Sequence, residues 1–186
     1  MKKSILIVLA LLAALQSASA FARAEPGPVT LLISGGPGNS GLHISLTPDG
    51  REYLIVSTDP LEVGGNICEH PSEDVPNELL CKAPAIAGFE VNAGAGADSV
   101  YFSSDVPVPV TARGGAGADR LVGGGASDKL IGGPDRDFVE GRRGDDWLLG
   151  GPGPDTLLGG PGNDQLRGGP DKDKLVGGPG KNELFP

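Results

Sequence analysis

Residues 150–176 read GGPGPDTLL GGPGNDQLR GGPDKDKLV, which is one nine-residue phrase written three times with small changes. The phrase runs through eight consecutive units, whose first glycines stand at residues 114, 123, 132, 141, 150, 159, 168 and 177. A less regular copy, NAGAGADSVYF, spans residues 92–102. A constant period over eight units is typical of a solenoid, in which each unit stacks on its neighbours.

Position eight of the phrase holds Leu or Val in every unit, while positions seven and nine are mixed in polarity. Successive side chains of a strand face opposite ways, so positions seven to nine predict a short strand whose middle residue points into a core. The residues at position eight are Val100, Leu121, Leu130, Val139, Leu148, Leu157, Leu166, Leu175 and Leu184.

Positions one to five are rich in glycine, which permits tight turns with positive φ. A turn followed by a three-residue strand cannot pair within itself, so it must stack on copies of itself. The expected fold is all-β: a parallel β-roll, which is a two-sheet β-solenoid with two nine-residue units in each 18-residue coil. The roll is expected to span residues 92–186.

Position six holds an acidic residue in almost every unit. Stacked strands lie about 4.8 Å apart, so these carboxylates would form two ladders along the edges of the roll. Unscreened like charges at that spacing repel, and no basic residue recurs at a fixed position to offset them. A cation between successive rungs would resolve the repulsion. The residues at position six are Asp98, Asp119, Asp128, Asp137, Asp146, Asp155, Asp164 and Asp173, with Asn182 in the last unit.

The ligand chemistry of this pattern favours calcium. Carboxylates and carbonyl oxygens from a glycine-rich turn provide a flexible cage of six or more oxygens, which suits Ca²⁺. Mg²⁺ would require stricter octahedral geometry and retain its water, and transition metals would prefer His or Cys ligands.

The phrase resembles the RTX, or haemolysin-type, calcium-binding repeat, whose pattern is G-G-x-G-x-D-x-U-x. GGAGADRLV, GGPGPDTLL and GGPGNDQLR match that pattern at every defined position. The resemblance implies a β-roll in which several Ca²⁺ ions lie between turns 18 residues apart, held by position-six aspartates and turn carbonyls. The implied pairs are Asp119 with Asp137, Asp137 with Asp155, Asp155 with Asp173, Asp128 with Asp146, and Asp146 with Asp164, and Asp98 is expected to add a site next to Asp119.

Some units depart from the pattern where glycine is usual. The departures are Ala126, Asp135 and Asp171 at position four, and Arg142 and Arg143 at positions two and three of one unit. Such residues are expected to strain a turn or shift a carbonyl group, although Asp135 and Asp171 would contribute charge. Asn182 supplies only a neutral oxygen, so a site that it shares with Asp164 is expected to be the weakest.

The chain begins MKKSILIVLALLAALQSASAFARA, with two lysines, an apolar run and small residues in an Ala-x-Ala pattern. This layout predicts a secretory signal peptide over residues 1–24, cleaved near Ala20 or Ala24, and hence a secreted protein. The apolar run is short for a membrane span of about 20 residues, and an uncleaved anchor is the alternative. Large RTX toxins instead leave the cell by a C-terminal signal.

The composition is acidic, with 15 basic and 24 acidic residues and a formal net charge of −9. Cleavage after Ala24 would remove Lys2, Lys3 and Arg23, which lowers the basic count to 12 and brings the net charge near −12. Nucleic acids and anionic membrane surfaces select for excess Lys and Arg, so neither is an expected partner. The sequence has no second apolar stretch, so membrane insertion is not expected. The excess of acidic over basic residues fits a protein that binds cations.

Residues 25–91 predict a small antiparallel β region that caps the solenoid. VTLLIS at residues 29–34 is typical of a strand, and LHISLTPDGREYLIVS predicts two strands joined by a turn at residues 47–50. Cys68 and Cys81 predict a disulfide, because a secreted chain meets an oxidising compartment. A zinc site with His43 and His70 as further ligands is the alternative.

The sequence thus predicts a secreted, non-catalytic protein in which bound Ca²⁺ drives folding of the roll. Phe138 and Trp147 at position seven would face outward, so an adhesion module with an extracellular protein or glycan partner is the alternative function. An accessory part of a secreted enzyme is a further alternative. Against it, the chain has no H-E-x-x-H or G-x-S-x-G motif, and residues 25–91 are few for a catalytic domain.

Overall fold

The computed structural model describes residues 5–8, 29–35, 38–58, 61–62, 68–69, 71, 77–83 and 86–186. These residues confirm the predicted fold class, because they form a parallel β-solenoid of about five turns built from two sheets, preceded by antiparallel strands. None of the described residues belongs to a helix long and apolar enough to cross a membrane.

Sheet 1 contains every second strand of the roll. Its strands are β1 (Ile5–Val8), β2 (Val29–Ser34), β5 (Leu61–Glu62), β8 (Ile86–Ala95), β10 (Val110–Ala116), β12 (Lys129–Ile131), β14 (Trp147–Leu149), β16 (Gln165–Arg167) and β18 (Glu183–Phe185). They lie in the order β18-β16-β14-β12-β10-β8-β2-β1-β5. Strand β1 falls within the predicted signal peptide and pairs antiparallel with β2, and the rest of residues 1–24 lies outside the described part.

Sheet 2 contains the strands that alternate with those of sheet 1. They are β3 (Gly41–Leu46), β4 (Glu52–Ser57), β6 (Cys68–Glu69), β7 (Glu78–Lys82), β9 (Ser99–Phe102), β11 (Arg120–Val122), β13 (Phe138–Glu140), β15 (Thr156–Leu158) and β17 (Lys174–Val176). Their order is β17-β15-β13-β11-β9-β3-β4-β7-β6. The chain therefore crosses from one sheet to the other at each glycine-rich turn.

The register of the parallel strands confirms the 18-residue coil. Leu130 lies opposite Leu148 and Leu148 opposite Leu166 in sheet 1, while Val139 lies opposite Leu157 in sheet 2. All five side chains are fully buried. Position eight therefore forms two facing apolar columns, one on the inner side of each sheet, and these columns are the core of the roll.

The parallel ladders continue towards the N-terminus beyond the predicted start of the roll. Ile33 of β2 lies opposite Val91 of β8, and Leu42 of β3 lies opposite Val100 of β9. The boundary predicted at residue 92 falls inside β8, so the solenoid core runs across it. Because β2 and β8 carry apolar residues rather than aspartate at the inward positions, the repeat pattern alone does not indicate their place in the roll.

Aromatic side chains fill the core of these N-terminal coils. The ring of Phe89 lies 5.1 Å from that of Tyr53 and 5.3 Å from that of Phe102, centroid to centroid. Phe89 lies opposite Val110 in the following coil, and the Val110 N–H in turn bonds to Asp128 one coil further on. The Phe89 ring thus occupies the inward position that aspartate takes in the repeats. The N-terminal end of the core is therefore apolar, as in an ordinary small β protein.

The antiparallel part is an extension of sheet 2. Strands β3 and β4 form the predicted hairpin, and the turn between them is closed by the Gly50 N–H, which donates to the carbonyl of Thr47 (2.8 Å). Cys68 on β6 lies directly opposite Cys81 on β7, and the two are disulfide-bonded.

The alternative of a zinc site is wrong, because both sulfur atoms are used in the disulfide. His43 packs edge-on against the ring of Tyr101 at 4.7 Å between centroids. His70 lies outside the described residues.

Burial of position eight predicts how much each coil contributes to stability. Leu148 is fully buried, whereas Leu184, at the same position of the same sheet two coils further on, is 46% exposed. We expect Leu148→Ala to lower the free energy of unfolding by about 2–5 kcal/mol, through lost burial and the cavity left behind. Leu184→Ala should cost about 1 kcal/mol or less. Urea unfolding at one fixed calcium concentration compares them, and equal losses would contradict the described core.

Candidate metal centre

The position-six aspartates lie in two rows, one along each edge of the roll. Edge 1 is the row of turns that lead into sheet 1, and edge 2 is the row of turns that lead into sheet 2. Edge 1 carries Asp128, Asp146, Asp164 and Asn182, and edge 2 carries Asp98, Asp119, Asp137, Asp155 and Asp173. Positions six and eight of a strand face the same way, so these side chains point inward beneath the turns. All but Asn182 and Asp173 are at most 3% exposed.

One oxygen of each carboxylate is held by the backbone of the preceding coil. The Asp119 N–H donates to Oδ1 of Asp137, and the Asp137 N–H donates to Oδ1 of Asp155, both at 2.8 Å. On edge 1 the Asp128 N–H donates in the same way to Oδ1 of Asp146 (2.8 Å). The structure therefore brings together every predicted pair, but through a carboxylate-to-amide bond rather than through two facing carboxylates.

The second oxygen, Oδ2, is buried without a hydrogen-bond partner in most rungs. Within the described part of the chain this holds for Asp119, Asp137, Asp146, Asp155, Asp164 and Asp173. Asp128 differs, because its Oδ2 accepts a bond from the Gly124 N–H (2.8 Å). Buried polar atoms are nearly always paired, so a row of unpaired carboxylate oxygens indicates a missing ligand.

The first glycine of each unit makes room for this carboxylate. A Cβ atom built on Gly132 would overlap the carboxylate of Asp137, and one on Gly150 would overlap that of Asp155. The same overlap occurs at Gly114, Gly123, Gly141, Gly159 and Gly168 with the aspartate five residues later. Glycine at position one is therefore required by the space that the aspartate occupies and not only by the turn.

Burial raises the pKa of the ladder carboxyls. It is the main cause of a pKa near 7 for Asp137 and Asp146 and near 6 for Asp119, Asp128 and Asp155. The amide bonds to Oδ1 act in the opposite direction, and neighbouring aspartates add a smaller upward shift at each of these residues except Asp128. A carboxyl in this state is neutralised either by a proton or by a cation.

The repeat at the start of edge 2 was missed by sequence reasoning. Residues 35–43 read GGPGNSGLH, which is the nine-residue phrase with Ser40 in place of aspartate. The Ser40 N–H donates to Oδ1 of Asp98 (2.6 Å), and Leu42 stands at position eight. The glycine spacing could have revealed this unit, but the missing aspartate and the distance from the other repeats concealed it.

The aspartate rows end where position six holds another residue. On edge 1 the Val110 N–H donates to Oδ1 of Asp128, and at the other end Oδ1 of Asn182 accepts a bond from the Asp164 N–H (2.8 Å). Asn182 thus reproduces the backbone contact of an aspartate without its charge. Edge 1 has three consecutive aspartates, whereas edge 2 has five from Asp98 to Asp173.

The oxygen atoms around each turn suit a cation that prefers oxygen ligands. Among the described residues no three His, Cys, Asp or Glu side chains converge on one point, so each ion would draw most of its ligands from elsewhere. Turn carbonyls provide them: those of Gly150 and Pro152 accept one bond each, from the Gly133 and Asp135 N–H groups, and a carbonyl oxygen has two lone pairs. One or two carboxylates plus several carbonyls is a ligand set that Ca²⁺ accepts.

The family of these repeats is given by comparison with known families. The RTX calcium-binding nonapeptide repeat (4 copies) matches residues 113–148 and again residues 149–184, so that each match covers 36 residues, or four nonapeptides. Residues 113–184 are RTX repeats. Searches of the curated proteins and of the solved structures found no significant match to the chain. The aspartates from Asp119 to Asp173 lie within these repeats, and calcium is the metal that this family of repeats binds.

The two aromatic residues at position seven of the RTX roll are covered by basic side chains from the preceding coil. The guanidinium of Arg120 lies 4.1 Å from the ring centre of Phe138, and the Lys129 ammonium lies 4.6 Å from that of Trp147. Both rings are half-buried. Each pair lies across neighbouring strands on the outer face, where cation–π contact stabilises the stacking of coils.

The raised pKa values predict an unusual pH dependence for the metal-free RTX roll. In the unfolded chain these carboxyls have a pKa near 3.9, so the folded state binds more protons from about pH 4 to pH 7. Stability of the metal-free protein should therefore be greatest near pH 4 and should fall as the pH rises through about 6 to 7. Saturating calcium should remove or reverse this trend, because it binds the ionised form. Thermal unfolding followed by circular dichroism measures both series, and metal-free stability that rises towards neutral pH would contradict this account.

Proposed function

We propose that this protein is a secreted, non-catalytic calcium-binding protein in which Ca²⁺ between stacked turns drives folding of the β-roll. The observation that supports the proposal is the row of buried Oδ2 atoms without partners beneath the turns. A repeat unit could bury one aspartate by chance, but six unpaired oxygens at one position of the repeat require a common ligand.

The electrostatics explain why such an ion would control folding. An ionised carboxylate buried without a counter-charge costs several kcal/mol, and one hydrogen bond to Oδ1 offsets only part of that cost. At neutral pH the metal-free roll must either take up protons or unfold. Because the site exists only when two coils are stacked, the free energy of ion binding becomes free energy of folding.

The ligands assigned by this proposal are the eight aspartates predicted from the sequence. They are Asp98, Asp119, Asp128, Asp137, Asp146, Asp155, Asp164 and Asp173, and turn carbonyls complete each site. Asp128 is expected to be the weakest ligand of this set, because the Gly124 N–H already occupies its Oδ2. The site between Asp164 and Asn182 lacks one charge and should likewise fill late.

A calcium titration of the metal-free protein tests the proposal directly. Added Ca²⁺ should increase the β-sheet signal in circular dichroism at pH 7.5, with a midpoint in the range of extracellular sites, about 10⁻⁴ to 10⁻³ M. Equal Mg²⁺ should have little effect. If the repeat region is equally structured in excess chelator, calcium does not drive its folding.

Two neighbouring aspartates on edge 1 provide a matched pair of variants for that titration. Asp146 is buried at position six, whereas Asp145 at position five is exposed. Asp146→Asn keeps the acceptor for the Asp128 N–H, as Asn182 does for Asp164, and should weaken calcium binding by about tenfold, equal to about 1.4 kcal/mol. Asp145→Asn keeps the acceptor for the Asn163 N–H and removes an exposed, solvent-screened charge, so it should change the midpoint by about twofold at most.

Secretion is proposed from the N-terminal pattern and from the behaviour of RTX repeat proteins, which are typically secreted. Signal peptidase is expected to cleave after Ala20 or Ala24. N-terminal sequencing of protein recovered from the culture medium should therefore begin at Phe21 or Glu25. A chain retained in the membrane with Met1 intact would support the uncleaved anchor instead.

One observation favours the alternative role of a partner-binding module. A cavity on the outer face of sheet 1 is lined by Trp147, Gln165, Leu166, Arg167 and Phe185. A lining of aromatic rings with a few polar side chains is typical of ligand-binding sites. In this role the calcium-filled roll would serve as the rigid support for the surface, and the proposed folding function would remain.

A further inference from the structure

The two edges of the roll differ at position four, on the outer rim of the turns. Glycine takes this position with positive φ in most units, for example Gly117 (121°) and Gly153 (135°) on edge 2. Two units of edge 2 replace it with aspartate: Asp135 has φ 86° and Asp171 has φ 98°. A side chain in this left-handed conformation costs about 1 kcal/mol or more, which glycine would avoid.

Side-chain contacts explain Arg142, the third non-glycine residue with positive φ, but they do not explain Asp135. Arg142 (φ 81°) donates a bond to the carbonyl of Phe102 (2.7 Å), and its guanidinium stacks on Tyr101 at 4.5 Å. The backbone N–H of Asp135 donates to the carbonyl of Pro152 (2.8 Å), but its carboxylate has no hydrogen-bond or ion-pair partner among the described residues. Both Asp135 and Asp171 are exposed. The strain at Asp135 is therefore not offset by any contact of its carboxylate with the described protein groups.

These rim carboxylates lie next to the buried row of edge 2. Asp135 and Asp171 line one groove together with Ala118 and Gly153, which belong to the turns that carry Asp119 and Asp155. Oδ2 of Asp171 accepts a bond from the Gly153 N–H (3.1 Å), which places this carboxylate over the turn that precedes it by one coil. Arg136 lines the same groove but forms no ion pair with either aspartate in the described structure.

An independent observation indicates a cation behind these turns. Asp119, Asp137 and Asp155 are at most 3% exposed, and the Oδ2 atom of each is buried without a partner. Edge 2 therefore has unpaired carboxylate oxygens inside the turn and additional carboxylates on its rim. Edge 1 carries Ala126, Gly144, Gly162 and Gly180 at position four, with no acidic side chain there. Its exposed carboxylate is Asp145 at position five, which accepts a bond from the Asn163 N–H (2.7 Å) and so already has a protein partner.

We propose that Asp135 and Asp171 add carboxylate oxygens to calcium ions held in the turns of edge 2, and that they make this edge the higher-affinity row. The protein then has two classes of calcium site, and edge 2 fills first. More carboxylate charge around a Ca²⁺ site raises its affinity, so the backbone strain at the two aspartates has a function. This inference rests on the proposed calcium-binding function and assigns an order to its sites.

The test uses isothermal titration calorimetry with Ca²⁺ on the full mature protein and its variants. The wild type should show two classes of site. Asp135→Gly and Asp171→Gly restore the usual glycine and should each weaken the tighter class, by about tenfold when combined. Asp135→Asn, which keeps the strained backbone but loses the charge, should weaken it as much as Asp135→Gly. The matched control Asp145→Asn removes an exposed charge from edge 1 and should leave the tighter class unchanged.

The thermal stability of the metal-free protein is a second measurement, and the same substitutions should change it in the opposite direction to calcium affinity. Because glycine removes the strain, Asp135→Gly should unfold in chelator at the same or a higher temperature than the wild type, although it binds calcium less tightly. Unchanged calcium affinity in Asp135→Gly/Asp171→Gly, or an equal loss in Asp145→Asn, would overturn the inference while leaving the proposed function intact. A wild-type protein that binds no calcium would overturn the proposed function itself.

Discussion

The structure depends on one buried interaction, in which the aspartate at position six accepts a hydrogen bond from the backbone N–H one coil earlier. This bond links successive turns in the same way that strand pairing links successive strands, so the turns and the sheets share one register. The second oxygen of the carboxylate lies where a Cβ atom at position one would be, so aspartate at position six requires glycine at position one of the same unit. The charge that remains is the feature that a cation must balance.

The two ends of the solenoid bury different kinds of side chain between the sheets. Near the N-terminus, Tyr53, Phe89 and Phe102 fill the space between the sheets with apolar rings. In the repeats the inward positions are occupied by Leu or Val at position eight and by carboxylates at position six. The first arrangement buries apolar rings, which the hydrophobic effect favours, whereas the second buries carboxylates whose charge must be neutralised. Calcium sensitivity should therefore be concentrated in the repeats.

Much of the fold could be predicted because the repeat is nearly regular. The period located every strand from β11 to β18, and Leu at position eight identified the core. The prediction failed where the repeat pattern is broken. Ser40 replaces aspartate in an early unit, which was therefore not recognised. Phe89 and Val110 occupy inward positions in coils whose sequence does not match the repeat. A single substitution at position six is enough to hide a unit from sequence reasoning, although its strand pairs with β9 in the register of the repeats.

The sequence by itself determined the coil length, the inward columns and the chemistry of the cation, since these follow from the spacing and type of residues within nine positions. Only the tertiary structure decided how each carboxylate is used. It showed that one oxygen bonds to an amide while the other is left unpaired, and that Asp135 and Asp171 stand on the same rim in strained backbone. These features depend on the contact between residues 18 apart, whose geometry is set by stacking and not by local sequence.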